Sequence, residues 1–297
     1  MLDATRCLPM RFSDSSCKHC VDICPHRAVS LDGFLAINPN HCSGCMLCTA
    51  VCPAGALELN IDFQATLAQL SRVPEPVLGC RLTAECSNAT LPCLGGLSEE
   101  HLLSLSHSLS GKLTLNAVKC SDCPNGIMIS RLQQLLGELC NSGLSGSSCQ
   151  IVIALSAPEL HYRPEAVDRR GFFKSFRNSL FQGAAAILSS NSENPVKSTE
   201  YIGKKLPARM ALLNQTLSRL TPELRSRVLG RYGHQISFND SCTACQGCVA
   251  ICPTGALRTE SPDDHPFFDQ SLCTGCALCV EFCMDEALKL AGAERGQ

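Results

Sequence analysis

This chain of 297 residues lacks several things, and each absence narrows the reading. It has no glycine-rich nucleotide fingerprint, no flavin motif and no recognisable nucleophile–base set, so no bond-making chemistry is legible in it. No stretch approaches the uninterrupted apolar length of a transmembrane helix, and no membrane span is expected. The opening residues, MLDATRCLPMRFSDSS, lack an apolar core between a basic end and a cleavage site, and no secretory signal is read there. Neither sign of charge dominates: 25 Lys and Arg stand against 27 Asp and Glu, a net charge of −2.

Cysteine is present in excess. The 23 cysteines make up about 8% of the chain, a density that signals either a disulfide scaffold or metal. Spacing separates the two. A disulfide needs paired Cβ positions and no fixed interval, whereas a cubane needs several thiolates converging on one place, which a short loop supplies at intervals of three. Sixteen of the cysteines lie near the two ends, all but Cys7 in such groups. Thiols that must stay free for iron point to a reducing cytoplasm.

Cys242, Cys245, Cys248 and Cys252-Pro253 form CxxCxxCxxxCP, and Cys273, Cys276, Cys279 and Cys283 repeat the intervals. Three thiolates spaced by three wrap one cluster, and the fourth faces away to ligate the other. One [4Fe–4S] cluster is therefore expected on Cys242, Cys245, Cys248 and Cys283, and a second on Cys273, Cys276, Cys279 and Cys252. A pair of zinc sites, each made of four cysteines, is the competing reading, and the spacing weighs against it. Gly247 and Gly275 suit loops whose backbone approaches a cluster closely. Met284 stands where proline is expected, a tolerable departure because proline ligates nothing.

Near the N-terminus, Cys42, Cys45 and Cys48 are regular and Cys24 completes their set. The partner loop is not regular. Cys17, Cys20 and Cys24 are spaced normally, but the position three before Cys17 is Asp14. The reading adopted is that Cys7 reaches in over an extended loop, giving a cluster on Cys7, Cys17, Cys20 and Cys52. Ligation by Asp14, or a three-iron cluster lacking that corner, are the alternatives.

These residues resemble the bacterial dicluster ferredoxins at both ends of the chain. The resemblance implies two βαββαβ domains and transfer of single electrons between adjacent clusters.

Between the ends, 61–72 reads as a helical connector stopped by Pro74. PVLGC (76–80) and KLTLNAVKC (112–120) read as strands, and 96–109 and 129–140 as helices. QIVIAL (150–155) is a further strand after a flexible break at 141–148. Strand–helix alternation implies a small parallel α/β unit with cysteines at its junctions. Cys80, Cys93, Cys120 and Cys123 form one candidate site for a [2Fe–2S] cluster or a structural zinc, with Cys86 as a substitute for Cys80. Cys140 is read as a small core residue, and Cys149 has no evident partner. The run LPCLGGLSEEHLLSL followed by LNAVKCSDCPNG resembles the delta subunit of methyl-viologen-reducing hydrogenases. The two-loop arrangement is also similar to thioredoxin-like [2Fe–2S] ferredoxins.

Residues 150–235 carry thirteen Lys and Arg against six Asp and Glu. This basic, mainly helical segment is either a docking face for an acidic redox partner or a solvated surface; nucleic acid is not expected. Asp168-Arg169-Arg170-Gly171-Phe172-Phe173-Lys174 is similar to a twin-arginine export signal. It lies in mid-chain, and is read as a helix start with Phe172, Phe173 and Phe176 turned inward.

The expected architecture is α+β: dicluster domains at 1–60 and 236–297, a connector at 61–75, an α/β unit at 76–149 and the basic segment at 150–235. The expected function is a non-catalytic electron-transfer subunit that relays single electrons for an oxidoreductase, with hydrogenase- or formate-dehydrogenase-type partners suggested by the central resemblance. Two rivals are a thiol-redox or substrate-reducing enzyme using the CxxC at Cys120 and Cys123, and an assembly factor that delivers electrons or clusters to a partner metalloenzyme.

Overall fold

The structure is a computed structural model that describes residues 1–164, 203–259, 261 and 264–292. In the N-terminal part, Leu2 makes a single antiparallel bridge to Leu57. Between them run two short helices, α1 (Leu8–Arg11) and α2 (His19–Asp22), a hairpin of β1 (Val29–Ser30) and β2 (Ala36–Ile37), and α3 (Leu47–Val51). Elements this short have little stability of their own.

The connector forms α4 (Phe63–Leu70). The Asp62 carboxylate starts it by accepting from the Ala65 amide at 3.0 Å, and the helix ends before Pro74. Next come β3 (Val77–Cys80), β4 (Ala89–Leu91), α5 (Glu99–Ser108), β5 (Gly111–Asn116), α6 (Met128–Asn141) and β6 (Cys149–Ala154). The four strands form one sheet in the order β4-β3-β5-β6, and every pairing is parallel. The alternation legible in the sequence is thus the order seen, with three differences, of which the first is the edge strand β4, which is not among the expected strands. The strand expected over 112–120 stops at Asn116, because Ala117–Cys120 turns back to present the CxxC. Strand β6 pairs with β5 along its whole length, so the sheet runs past the expected boundary at residue 149.

Of the basic segment, residues 165–202 lie outside the described residues, and the expectation for Arg169, Arg170 and Phe172 falls there. The described remainder forms α7 (Ala208–Leu217) and α8 (Pro222–Tyr232). Met210, Leu212, Leu213, Leu217, Val228 and Tyr232 join Leu102, Leu105, Leu113 and Leu135 in the largest apolar core. Each buried leucine contributes roughly 1.5–3 kcal/mol. The arginines of these helices are occupied inside the chain: Arg209 pairs with Glu100, Arg231 with Glu138, and Arg227 donates to the Ser142 and Gly143 carbonyls at the end of α6.

In the C-terminal part β7 (Gln235–Phe238), α9 (Gly247–Ile251), β8 (Leu257–Arg258), β9 (Phe267–Phe268), α10 (Leu278–Glu281) and β10 (Leu288–Ala291) follow in turn. Strand β7 pairs with β10, and β8 with β9, all antiparallel. Residues 1–163 and 204–297 pack as one unit. No helix among the described residues is long and apolar enough to cross a membrane.

Candidate metal centres

The cysteine loops carry a backbone signature. In Cys42–Cys48, Gly44 (φ 71°) and Met46 (φ 60°) are left-handed; in Cys242–Cys248 the equivalents are Ala244 (52°) and Gln246 (59°); in Cys273–Cys279 they are Gly275 (67°) and Ala277 (61°). Alternating left-handed residues turn successive amides to one side, forming an anion-binding concavity that suits a negatively charged cluster. Non-glycine residues accept this conformation at four of these six places, a local cost held by the surrounding fold. Gly275 has a second reason to lack a side chain: a Cβ there would stand 2.2 Å from the His234 ring. Gly247 is not left-handed; it is small because Phe282 packs over it, 3.1 Å from where a Cβ would lie.

The turns after the fourth cysteines repeat as well. Arg27 (48°), Gly55 (66°), Gly255 (76°) and Glu286 (49°) each lie three residues beyond Cys24, Cys52, Cys252 and Cys283 and are all left-handed. Met284 therefore sits in the same turn as the prolines it replaces. Amides complete the resemblance among these turns: Ala28 donates to the Cys24 sulfur at 3.2 Å, and Ala287 to the Cys283 sulfur at 3.3 Å.

Cys7, Cys17, Cys20 and Cys52 line one small cavity with Leu8, Leu35 and Leu57. Burial, then the neighbouring thiols, push Cys20 up to about 12 and Cys7 up to about 11. The loop that replaces the missing cysteine is helical: α1 carries Cys7 inward at its start, and α2 holds Cys20. Asp14 is exposed and accepts from the Ser13 hydroxyl at 3.2 Å. The structure brings together Cys7 and its three partner thiols and leaves Asp14 outside.

A second cavity is lined by Cys24, Cys42, Cys45 and Cys48, together with Ala28, Val29 and Leu57. Burial first, then Cys45, Cys42 and Cys24, raise Cys48 to about 11. In the C-terminal part Cys279 is pushed up to about 12 by burial and by Cys276, Cys252 and Cys273, and Cys248 to about 11 by burial and by Cys245 and Cys242. Cys283 packs in the apolar group that contains Cys248.

The central thiols also meet. Cys80, Cys93, Cys120 and Cys123 line one cavity with Arg81, Lys119 and Asn125, and burial plus the other three thiols raise Cys120 to about 11. Cys86 is exposed and does not line it. The reading of Cys140 as a core residue is corrected: it is exposed on α6, whose buried stripe runs through Leu132, Leu135 and Leu139 instead. Cys149 is buried at the start of β6.

Sequence reasoning missed the contacts that join these sites. The Ser43 carbonyl, in the loop of Cys42 and Cys45, accepts from Asn125 at 3.3 Å and from Arg81 at 3.5 Å, both residues of the central cavity. Gly95 lies so close to that loop that a Cβ would meet the Cys45 carbonyl oxygen at 2.4 Å. The Cys93 thiol is raised by burial and, among others, by Cys45. At the other end, Glu281 accepts from the Ser16 amide at 3.1 Å, and Phe12 meets Phe282 edge-on at 5.3 Å between ring centres. No short-range signal announces a partner more than two hundred residues away.

Among the described residues, no three His, Cys, Asp or Glu side chains converge on a point where one metal ion would sit. The N-terminal and central thiols line three separate cavities. Thiols raised this far by burial, such as Cys7, Cys20, Cys48, Cys248 and Cys279, would give up their protons to a cationic centre, a donor chemistry that fits iron–sulfur clusters.

The comparisons agree. The description "4Fe-4S dicluster domain" matches residues 15–59 and again residues 241–288. Cys7 lies outside the first match, and neither match reaches the central thiols. Over 260 residues the chain is 24% identical to the probable pyruvate-flavodoxin oxidoreductase of Escherichia coli (strain K12), covering 75% of this chain and 21% of that protein. It is 25% identical over 197 residues to the pyruvate-flavodoxin oxidoreductase of Klebsiella pneumoniae, covering 58% of this chain and 16% of the relative. The chain thus spans at most about a fifth of the length of these relatives. No solved structure matches it. The chain carries two 4Fe-4S dicluster domains, and iron–sulfur electron relay is the function that these domains and both relatives fit.

Proposed function

We propose that the chain relays single electrons between a donor and an acceptor oxidoreductase through four [4Fe–4S] clusters. The first is held by Cys7, Cys17, Cys20 and Cys52, and the second by Cys42, Cys45, Cys48 and Cys24. The third is held by Cys242, Cys245, Cys248 and Cys283, and the fourth by Cys273, Cys276, Cys279 and Cys252. The observation that supports this reading is that Cys7 lines one cavity with Cys17, Cys20 and Cys52, and Cys24 another with Cys42, Cys45 and Cys48, while in the C-terminal part Cys248, Cys252, Cys273, Cys279 and Cys283 gather in one apolar cluster. Bound clusters supply one-electron chemistry. These cysteines would hold the clusters, and amides donated to ligand sulfurs, as from Ala28 to Cys24 and Ala287 to Cys283, would tune their potentials.

The central thiols extend the relay as a [2Fe–2S] site. A structural zinc on the same four thiols is the competing occupant, and iron, sulfide and zinc analysis of the loaded chain separates the two. The thiol-redox reading is poorly served, because burial raises Cys120 and a reactive thiol needs the opposite. The relatives' name pairs pyruvate oxidation with flavodoxin, which makes a flavodoxin-type acceptor a partner to test beside the hydrogenase- and formate-dehydrogenase-type enzymes. A cytoplasmic location follows from the need for reduced thiols.

Stopped-flow mixing tests the relay. The cluster-loaded chain, reduced with dithionite and freed of excess reductant, is expected to reduce an oxidised flavodoxin or a hydrogenase in single-electron steps. Reduced clusters that pass no electrons to any of these acceptors would contradict the reading.

A further inference from the structure

Nothing in the cysteine spacing says whether the two dicluster domains exchange electrons with one another or serve separate partners. Their contact bears on this. Leu8, Ala54 and Leu278 are fully buried together, and the partly buried residues packed against them include Cys17 from one domain and Cys276 from the other. Polar and aromatic contacts flank this apolar seam. The Glu281 carboxylate accepts from both the amide and the hydroxyl of Ser16, the residue before Cys17. Phe12, between Cys7 and Cys17, meets the ring of Phe282, the residue before Cys283. Residues adjacent to proposed ligands thus make the contact from both sides.

We propose that this seam is an electron junction, and that Glu281 and Phe12 are positioning residues that hold the Cys17 and Cys276 sites at exchange distance. The inference rests on the four-cluster reading. It orders the redox sites along one path: the central thiols, then the Cys42 loop, whose Ser43 carbonyl accepts from Asn125 and Arg81, then the Cys17 site, since Cys48 and Cys20 pack in one apolar cluster, then across the seam to Cys276, and finally to the Cys242 loop, since Cys279 and Cys248 pack in another. The exchange is a one-electron redistribution: one site is oxidised as its neighbour is reduced, and no bond is made or broken. External partners then meet the two ends of the path, near Cys120 and near Cys245.

The test compares EPR spectra of the fully reduced, cluster-loaded chain in wild type, Glu281→Gln, Glu281→Ala and the Glu281→Ala/Phe12→Ala double variant, each with iron content measured. In wild type, spin coupling between the two domains is expected in addition to coupling within each. Glutamine still accepts from Ser16, so Glu281→Gln keeps the inter-domain coupling. It removes a negative charge beside Cys17, which shifts that site's potential upward. The double variant loses the inter-domain coupling while each domain's own spectrum and iron content stay. If the double variant loses iron, Glu281→Ala at full iron content carries the comparison. Inter-domain coupling absent from wild type, or unchanged when the contacts are removed, overturns the junction. Absence of cluster signals altogether overturns the four-cluster reading beneath it.

Discussion

The thiols of Cys7 and Cys52 share one buried cavity, although α1, α2, the β1–β2 hairpin and α3 all lie between them in the chain. Cys17 and Cys20 complete the ring. Cys7→Ala is therefore expected to lower the iron content of the reconstituted chain by about three to four atoms and to remove one cluster's EPR signal. Asp14→Ala should leave both unchanged. Iron analysis and EPR on the two variants decide between the ligands.

The central cavity makes a parallel distinction. Cys80→Ser should lower metal bound beyond the four cubanes, and Cys86→Ser should not, since only Cys80 lines the cavity. Exposed Cys86 and Cys140 should be alkylated rapidly in the loaded chain, ahead of Cys120. Mass spectrometry of alkylated peptides reads this directly, and rapid labelling of Cys120 would revive the thiol-redox reading.

Gly95 marks the close approach of the central unit to the Cys42 loop. Gly95→Ala forces its new methyl against the Cys45 carbonyl and should destabilise the chain by about 1–3 kcal/mol. Gly137, in the middle of α6, has open space around it, and Gly137→Ala should stabilise by about 0.5–1 kcal/mol. Denaturation midpoints of the two variants should move in opposite directions.

His101 gives the fold a dependence on acid. Its ring is buried against Phe63, and its Nδ1 accepts from the Ser98 amide at 3.2 Å. Burial lowers it to about 4, with Glu100 opposing and Arg209 assisting. A depressed value means that the stabilising neutral form is fully retained above pH 6.5. It is lost as the pH falls towards 4, because the unfolded chain takes up the proton first. The loss is on the order of 3 kcal/mol. Stability of wild type should therefore drop more steeply between about pH 7 and pH 4.5 than that of His101→Gln. Parallel curves would show that His101 is not responsible.

The cluster sites and the joins between them differed in legibility. Cysteine intervals of three are a local pattern, so fifteen of the sixteen proposed terminal ligands could be assigned from spacing, and the strand–helix alternation of 76–149 was visible as periodicity. Cys7 needed a long-range inference, because α1 and not a loop interval delivers it. The remainder was hidden for a physical reason. Charge counting cannot show that Arg209, Arg227 and Arg231 are spent on partners within the chain. Helical phase alone placed Cys140 on the wrong face of α6, and no local rule pairs Ser16 with Glu281.

An EPR-monitored redox titration of the full chain, with iron and sulfide counted on the same sample, bears on all of this at once. Four interacting low-potential centres with about sixteen irons are expected, or about eighteen with the central [2Fe–2S] site filled. Zinc in place of iron, or cluster signals accounting for only one dicluster domain, would contradict the relay.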